Sequence, residues 1–359
     1  MKPWQEFIKR EALILSLLCL LVISIALEPS LLSVRHLRNI LFEAAPLALL
    51  CSAFALSLLC GFLDFSFAGT GAFAGVACAA LLQLPDMRLP GLAQAGLVYG
   101  VMGAILALCA AISCAKIYIV SALRIPPAFS GFFVGGLLQG FGMLILTGPN
   151  GETEVLRPVS PAFIAFGTGH IGLDPVYSLP VIALLSGAVI AGVGVFIRRR
   201  KWQDKYSIIS SVFNSLYVPG TMMPLRAVFV PMIPAAAISG ACYALGGMMF
   251  AAKSEAVGLS GGVDFMNGAL LSVLAGAFAG KASIFGGRNN FFGAAGGMIL
   301  ITALFYALDF VLVPLGVQTC LKYVIIGVAV YMDIQDHYLP GYARPKPKVK
   351  PPGAPPRSS

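Results

Sequence analysis

Long apolar runs of helical length, separated by short polar breaks, make up most of this chain. Runs long enough to approach a membrane crossing fall at 12–27, 39–61, 67–84, 91–120, 130–148, 177–197, 226–252, 266–280, 291–313 and 315–333. A hydrocarbon core about 30 Å thick is crossed by about 20 apolar helical residues. None of the runs alternates apolar and polar positions as a lipid-facing barrel strand would. A helix satisfies its own backbone polar groups without water, so the pattern predicts an all-α, polytopic transmembrane bundle of about ten spans. The third and eighth runs are short and bounded by glycine, a habit of the broken helices in transporters.

Composition agrees. The 359 residues are 58% hydrophobic and 11% charged, with a mean hydropathy of +0.88, whereas soluble domains carry about 25% charged residues. The formal charge of +9 has a topological explanation. With the N-terminus inside, Lys2, Lys9, Arg10, Lys116, Arg124, the basic residues of 198–226, Lys281, Arg288 and the tail all face the cytoplasm. Only Arg35, Arg38, Arg88, Arg157 and Lys253 face outward, and Lys322 lies within the last run. Basic residues accumulate in cytoplasmic loops, so this asymmetry predicts an even span count with both termini cytoplasmic. It also removes the need for a nucleic-acid partner. The first run follows three basic residues as a signal peptide does, but Leu27-Glu28-Pro29 is a poor cleavage site, so it reads as a retained span.

The eight cysteines lie in or at the ends of apolar runs and form no C-x-x-C pair. They read as small buried hydrophobes, with no disulfide framework or zinc site. His36, His170 and His337 fall in three separate loops, which argues against a metal site or a histidine-based catalytic centre.

Residues 1–335 are predicted to form the membrane domain. Residues 336–359 combine repeated prolines with Arg344, Lys346, Lys348 and Lys350. They are predicted to be a disordered, basic cytoplasmic tail suited to anionic lipid headgroups. Two polar loops are long enough for recognition: 149–174, predicted outside, and 198–225, predicted inside. The inner loop carries Arg198-Arg199-Arg200-Lys201, a mixed stretch 206–217 predicted as a short helix, and Pro219-Gly220. A short cytoplasmic helix suits docking to a motor subunit; the alternative is a loop that only sets topology.

Gly-x-x-x-Gly spacing occurs at Gly71/Gly75, Gly131/Gly135, Gly276/Gly280 and Gly293/Gly297. It lets helix backbones approach closely in lipid and carries little functional information. Gly276 to Lys281 has three residues between its glycines and Ala282 after the lysine. It continues an apolar helix, so it is not a phosphate-binding loop. The segment 60–69 places Asp64 and Ser66 at membrane depth between two apolar runs. A carboxylate there must face protein, water or a helix N-terminus. Two readings stay open: Asp64 caps the third span and forms a hinge, or Asp64, Phe65 and Ser66 touch substrate. A similar string, Gly261-Gly262-Val263-Asp264-Phe265, recurs before the eighth span, which makes Asp264 and Asn267 a second candidate segment. Glu43, Asp309 and Lys322 are further intramembrane ionisable residues, and the last two, on adjacent spans, could pair.

Residues 28–336 resemble the membrane subunit of ribose-type sugar ABC importers, relatives of the branched-chain amino acid permeases. Leu32 to Leu41 resembles the family's pre-helix segment, and Gly61 to Ser66 its Gly-Gly-Ile-Asp-Leu-Ser signature. Ala282 to Arg288 resembles its Thr-Ser-Leu-x-Gly-Gly-Arg-Gly block. Leu123 to Pro127 is similar to its Lys-Ile-Pro-Pro, and Gly220 to Arg226 to the Ser-Gly-Ile-Asn-x-x-Arg that follows its ATPase-coupling helix. The chain departs from the pattern at Phe62, Ala68 and Asn289, and has Ser210 to Asn214 where the family carries Gly-Gly-Asn-x-x-Ala-Ala.

The resemblance implies a type II importer permease with Tyr206, Phe213, Asn214, Gly220 and Arg226 in the coupling region. It implies ABC ATPase subunits as partners, a second permease, identical or different, and an extracytoplasmic substrate-binding protein, in a bacterial inner membrane. No cofactor is expected on this chain, with ATP and magnesium on the partner ATPase. Transport would proceed by alternating access of a small polar solute. An ion-coupled secondary transporter would need functional intramembrane carboxylates and no ATPase. A membrane-embedded lipid enzyme would need acids, histidines or arginines clustered at one membrane face, which the sequence does not show.

Overall fold

The computed structural model describes residues 3–83, 91–147, 155–156, 160–172, 178–215, 225–254, 257, 264–287 and 290–338. At 3–10, 91–93, 211–215, 225–228, 264–267 and 337–338 it describes the backbone alone. The helices, in chain order, are α1 (Pro3–Leu27), α2 (Val34–Leu59), α3 (Phe67–Leu81), α4 (Gly91–Leu123), α5 (Pro127–Leu146) and α6 (Pro161–Thr168). They continue as α7 (Val181–Arg199), α8 (Trp202–Ser215), α9 (Leu225–Lys253), α10 (Asp264–Ala279), α11 (Phe291–Phe310) and α12 (Leu315–Tyr338). Two-residue strands, β1 (His170–Ile171) and β2 (Leu179–Pro180), pair antiparallel. The protein is an all-α transmembrane bundle, and every predicted span falls on a helix.

Seven helices, α2, α4, α5, α7, α9, α11 and α12, are long and apolar enough to cross a membrane, while the apolar parts of α1, α3 and α10 are shorter. At 1.5 Å per residue the 15 residues of α3 reach only about 22 Å. Its surroundings permit this: Phe67 to Val76 is buried apart from Phe73. A helix enclosed by protein need not match the bilayer thickness that constrains a lipid-facing one.

Glycine sets the closest crossings. A Cβ on Gly247 of α9 would lie 1.9 Å from the Gly71 carbonyl oxygen of α3, and one on Gly69 of α3 would lie 2.0 Å from that of Gly135 of α5. Between α10 and α11, a Cβ on Gly280 would meet the Gly293 oxygen at 2.3 Å, and one on Gly297 the Gly276 oxygen at 2.3 Å. The predicted glycine pairs thus occupy backbone-to-backbone contacts around α3 and between α10 and α11. Leu49, Leu50 and Phe54 of α2, Phe67 of α3, and Tyr243 and Met248 of α9 fill the centre between them.

Contacts at the helix ends fix the alternation. Glu11 of α1 pairs with Lys281 just beyond α10, and Asp333 of α12 accepts from Ser283 beside it. Glu11 of the first helix and Asp333 of the last therefore lie at the same end of the bundle.

Several boundaries differ from the sequence reading. The first helix begins at Pro3, ahead of its apolar run. In α8 the helix begins at Trp202, because Trp202 and Tyr206, one turn apart, pack edge to face with centroids 5.1 Å apart. The last helix runs to Tyr338, past the 335 boundary, and the tail 339–359 lies outside the described residues. The loop 149–174 contains α6, which opens with Pro161 at its first position and buries Phe163 and Phe166. Proline is pre-set for that position. A bridge between Leu156 and Val257 ties this loop to the segment after α9.

Candidate functional site

Between α2 and α3 the chain turns at Gly61, whose φ of 80° is the left-handed region that glycine enters freely. Asp64 follows, almost wholly buried. Its Oδ1 accepts from the Ser66 backbone N–H at 3.0 Å and from the Ser66 hydroxyl at 2.6 Å. Its Oδ2 accepts from Lys116 Nζ of α4 at 2.6 Å. Ser66 holds the N-cap position of α3, yet its own side chain makes no capping bond. The carboxylate two residues earlier fixes the entry to the helix instead. Lys116 also reaches the Ser66 hydroxyl and lies over the Phe62 ring, 5.3 Å from its centroid. Each buried charge thereby meets an opposite charge and further hydrogen bonds, without which its burial would be prohibitive. A small cavity lined by Ser57, Cys60, Asp64, Ser113 and Lys116 adjoins the pair. Next to it, the hydroxyls of Ser57, Ser239 and Tyr243 join α2 to α9 at 3.0 and 3.2 Å.

A second turn, between α10 and α11, is built in the same manner. Lys281, Gly286 and Gly287 have φ of 64°, 72° and 70°. Asp333 of α12 supplies the charge: its Oδ2 accepts from Ser283 Oγ at 3.0 Å and from the Ile284 N–H at 2.9 Å. Each turn is therefore held by an ionic side chain that reaches in from, or out to, a helix outside the turn.

The two turns touch. Gly287 N–H donates to the Leu59 carbonyl at 3.1 Å, so the segments 59–66 and 282–287, more than 200 residues apart, form one saddle. Helix α8 sits on it through Ser210, whose hydroxyl donates to the Phe285 carbonyl at 3.5 Å. A Cβ on Gly61 would lie 2.7 Å from Ser210 Oγ; one on Gly286 would lie 2.3 Å from it and 2.7 Å from Gly61 Cα. The Ser210 side chain thus fills the space that a side chain at Gly61 or Gly286 would need. Tyr206, one turn earlier on α8, is buried and donates to the Pro231 carbonyl of α9 at 3.0 Å. Burial, with a smaller contribution from Cys60 and against a backbone hydrogen bond, raises its phenol pKa above the usual value, so it remains a neutral donor.

Of the predicted pathway or hinge residues, Asp64 and Ser66 belong to the buried network, and Phe65 stacks on Phe132 of α5 at 4.5 Å. Asp264 and Asn267 lie on the first turns of α10, and Phe213 and Asn214 on the last turn of α8, with side chains outside the described residues. The same holds for Arg226 on α9, while Gly220, Arg288 and Asn289 lie outside the described residues entirely. The expected pairing of Asp309 with Lys322 is replaced: Asp309 accepts from Gln318 at 2.6 Å, and Lys322 lies over the Phe305 ring at 4.7 Å. Glu43 pairs with Lys253 near the opposite end.

Sequence reasoning missed Lys116, Ser210 and Asp333. It treated Lys116 as one of the cytoplasmic charges that set topology, but the structure buries it against Asp64. Its position inside an apolar run was the available signal, since an intramembrane cation needs a partner. Ser210 had entered only as the first residue of a departure from the family's coupling pattern, and nothing in the sequence marked Asp333.

The fold and this site define a membrane-transport class of protein: a helical bundle with broken helices meeting under a helix at one end. No family model and no solved structure matches the chain. Two curated relatives do. The galactose/methyl galactoside import permease protein MglC of Escherichia coli K12 is 24% identical over 353 residues, covering 96% of this chain and 98% of the relative. Its Salmonella typhimurium counterpart is 24% identical over 334 residues, covering 91% and 93%. The similarity runs across nearly the whole of both chains, and each relative is named as an import permease protein for galactose and methyl galactoside. Such subunits are transport components that work with ATPase and substrate-binding partners.

Proposed function

We propose that this permease carries a sugar or sugar-like solute across a bacterial inner membrane, and that α8 is the segment on which a separate ATPase chain pulls. The observation that carries this reading is the seating of α8, through Ser210, on both the 61–66 and 282–287 turns. A force applied to α8 would reach directly the turn that leads into α3 and the turn that follows α10. The substrate class rests on the relatives, which import galactose and methyl galactoside.

In this reading both termini and α8 face the cytoplasm, as the distribution of basic residues favours. A second permease, identical or different, completes the path, and an extracytoplasmic binding protein delivers substrate. ATP and magnesium reside on the ATPase, with no cofactor on this chain. Residues 1–335 form the permease domain, with coupling through 198–225, and 336–359 are a basic cytoplasmic tail. The network around Asp64 acts as a hinge anchor in this reading, because both carboxylate oxygens are engaged by Ser66 and Lys116. Asp264 and Asn267, at the start of α10, are a second candidate pathway segment, and Tyr206, Phe213, Asn214, Gly220 and Arg226 belong to the coupling region in this reading. Closure of the ATPases would favour one of two packings of the bundle and so switch the open side.

The test is co-purification with neighbouring gene products and transport in liposomes. An ATPase should co-purify, and galactose uptake should require ATP. Uptake without any ATPase would defeat the reading and favour an ion-driven carrier.

A further inference from the structure

The same end of the bundle contains a cavity of about 330 Å³ that the transport reading leaves unused. It lies between the ends of α2 and α7 and the starts of α8 and α11. Its wall is apolar, formed by Leu56 and Leu59 of α2 and by Phe291 and Phe292 of α11. Phe292 packs directly over Gly194, where a Cβ would lie 2.1 Å from the ring, so the missing side chain leaves room for the aromatic wall. Its mouth is cationic. Arg198 and Lys201 line it against one carboxylate, Asp204. Arg199 and Arg200 lie between the two lining cations in the chain, leaving the mouth with a surplus of positive charge.

These features specify an amphiphile. A membrane protein is solvated by acyl chains, and an apolar cavity of this size between membrane helices suits one. Cations at its rim select an anionic headgroup, because basic groups close to the membrane surface attract anionic lipid. A soluble anion would use the rim but leave the apolar wall unpartnered.

We propose that this cavity binds an anionic phospholipid, with an acyl chain against Leu56, Leu59 and Phe291 and its phosphate between Arg198 and Lys201. The site lies at the joint where α7 hands over to α8, a joint closed by Lys201 in the left-handed region with φ of 51°. Occupancy fixes the angle at which α8 leaves the membrane helix, two turns before Ser210 meets the saddle. The lipid site stands on this cavity and its charges and does not require the importer reading.

Direct binding tests it, using the full chain in detergent titrated with phosphatidylglycerol or phosphatidylcholine and read by native mass spectrometry and thermal unfolding. Phosphatidylglycerol should stay bound and raise the unfolding temperature, whereas phosphatidylcholine should not. The variant Arg198→Gln/Lys201→Gln should bind phosphatidylglycerol more weakly by roughly fivefold for each cation lost. Asp204→Asn, at an exposed position, should bind it more tightly, an increase that a purely structural role would not produce. Equal binding of the two lipids, unchanged binding by the double variant, or no gain with Asp204→Asn would overturn the proposal. Displacement of the lipid by millimolar inorganic phosphate would assign the mouth to a free anion and overturn it as well.

Discussion

Lys116 Nζ lies 2.6 Å from Asp64 Oδ2, and neither side chain is more than 4% exposed. This pair links the middle of the bundle, through α4, to the turn that starts α3. It determines what breaking either partner does.

Lys116→Met removes the cation and leaves a buried carboxylate with only the Ser66 donors. Breaking one side of a buried pair costs about 3–5 kcal/mol. The double variant Lys116→Met/Asp64→Asn removes both charges, and the Asn oxygen can still accept from the Ser66 N–H. It should recover at least half of that loss in thermal unfolding in detergent. A double variant as unstable as the sum of the two single ones would mean that the residues do not act as a pair.

Gly61→Ala imposes a left-handed alanine, costing about 1 kcal/mol, and drives a Cβ to 2.7 Å from the Ser210 hydroxyl. ATP-driven uptake should fall more than stability does. Ser210→Gly should restore part of it, since the hydroxyl is the nearest obstacle. The same second change should rescue Gly286→Ala much less, because that Cβ also meets Gly61 Cα at 2.7 Å.

Asp333→Asn removes the negative charge at the second turn, where one carboxylate oxygen accepts from both Ser283 and Ile284. Hydrogen exchange of the Ile284 amide should accelerate about tenfold, while amides in the centre of α11 keep their protection. Tenfold corresponds to losing about 1.4 kcal/mol, in the range for a hydrogen bond to a charged group.

Gly247→Ala should be strongly destabilising, since its Cβ would lie 1.9 Å from a backbone oxygen and α3 and α9 would have to separate. Gly103→Ala, on α4 with nothing within 4 Å, should be neutral or stabilising by up to about 1 kcal/mol. Expression level and melting temperature of the two variants should diverge accordingly.

The spans were legible because lipid imposes a local rule: each crossing helix must be apolar over its own length, so a window of sequence suffices. The glycine pairs were legible for a related reason, as their spacing is the period of a helix face. The two motif blocks were visible as blocks but not as neighbours. That Gly287 hydrogen bonds to Leu59 depends on how α10 and α11 pack against α2, and no local pattern encodes it.

Lys116 shows where the sequence rule failed. A cation near the end of an apolar run reads as a topology charge, and counting it with the loop residues gives the same orientation whether it is buried or exposed. Only the packing of α4 against the 60–66 turn distinguishes a solvated lysine from an ion-paired one. Asp333 was hidden for the same reason, being one of two acids near the end of α12.

The sequence by itself determined a helical membrane protein, the approximate number and place of its spans, and the short third and eighth helices, since these depend on composition along a single helix. The tertiary structure alone decided that the two broken-helix turns meet, that Lys116 and Asp333 anchor them, and that Ser210 of α8 rests on both. Those are contacts between segments far apart in the chain. They are set by the close approach of backbones at glycine and by the need of each buried charge for a partner, which only the assembled bundle supplies.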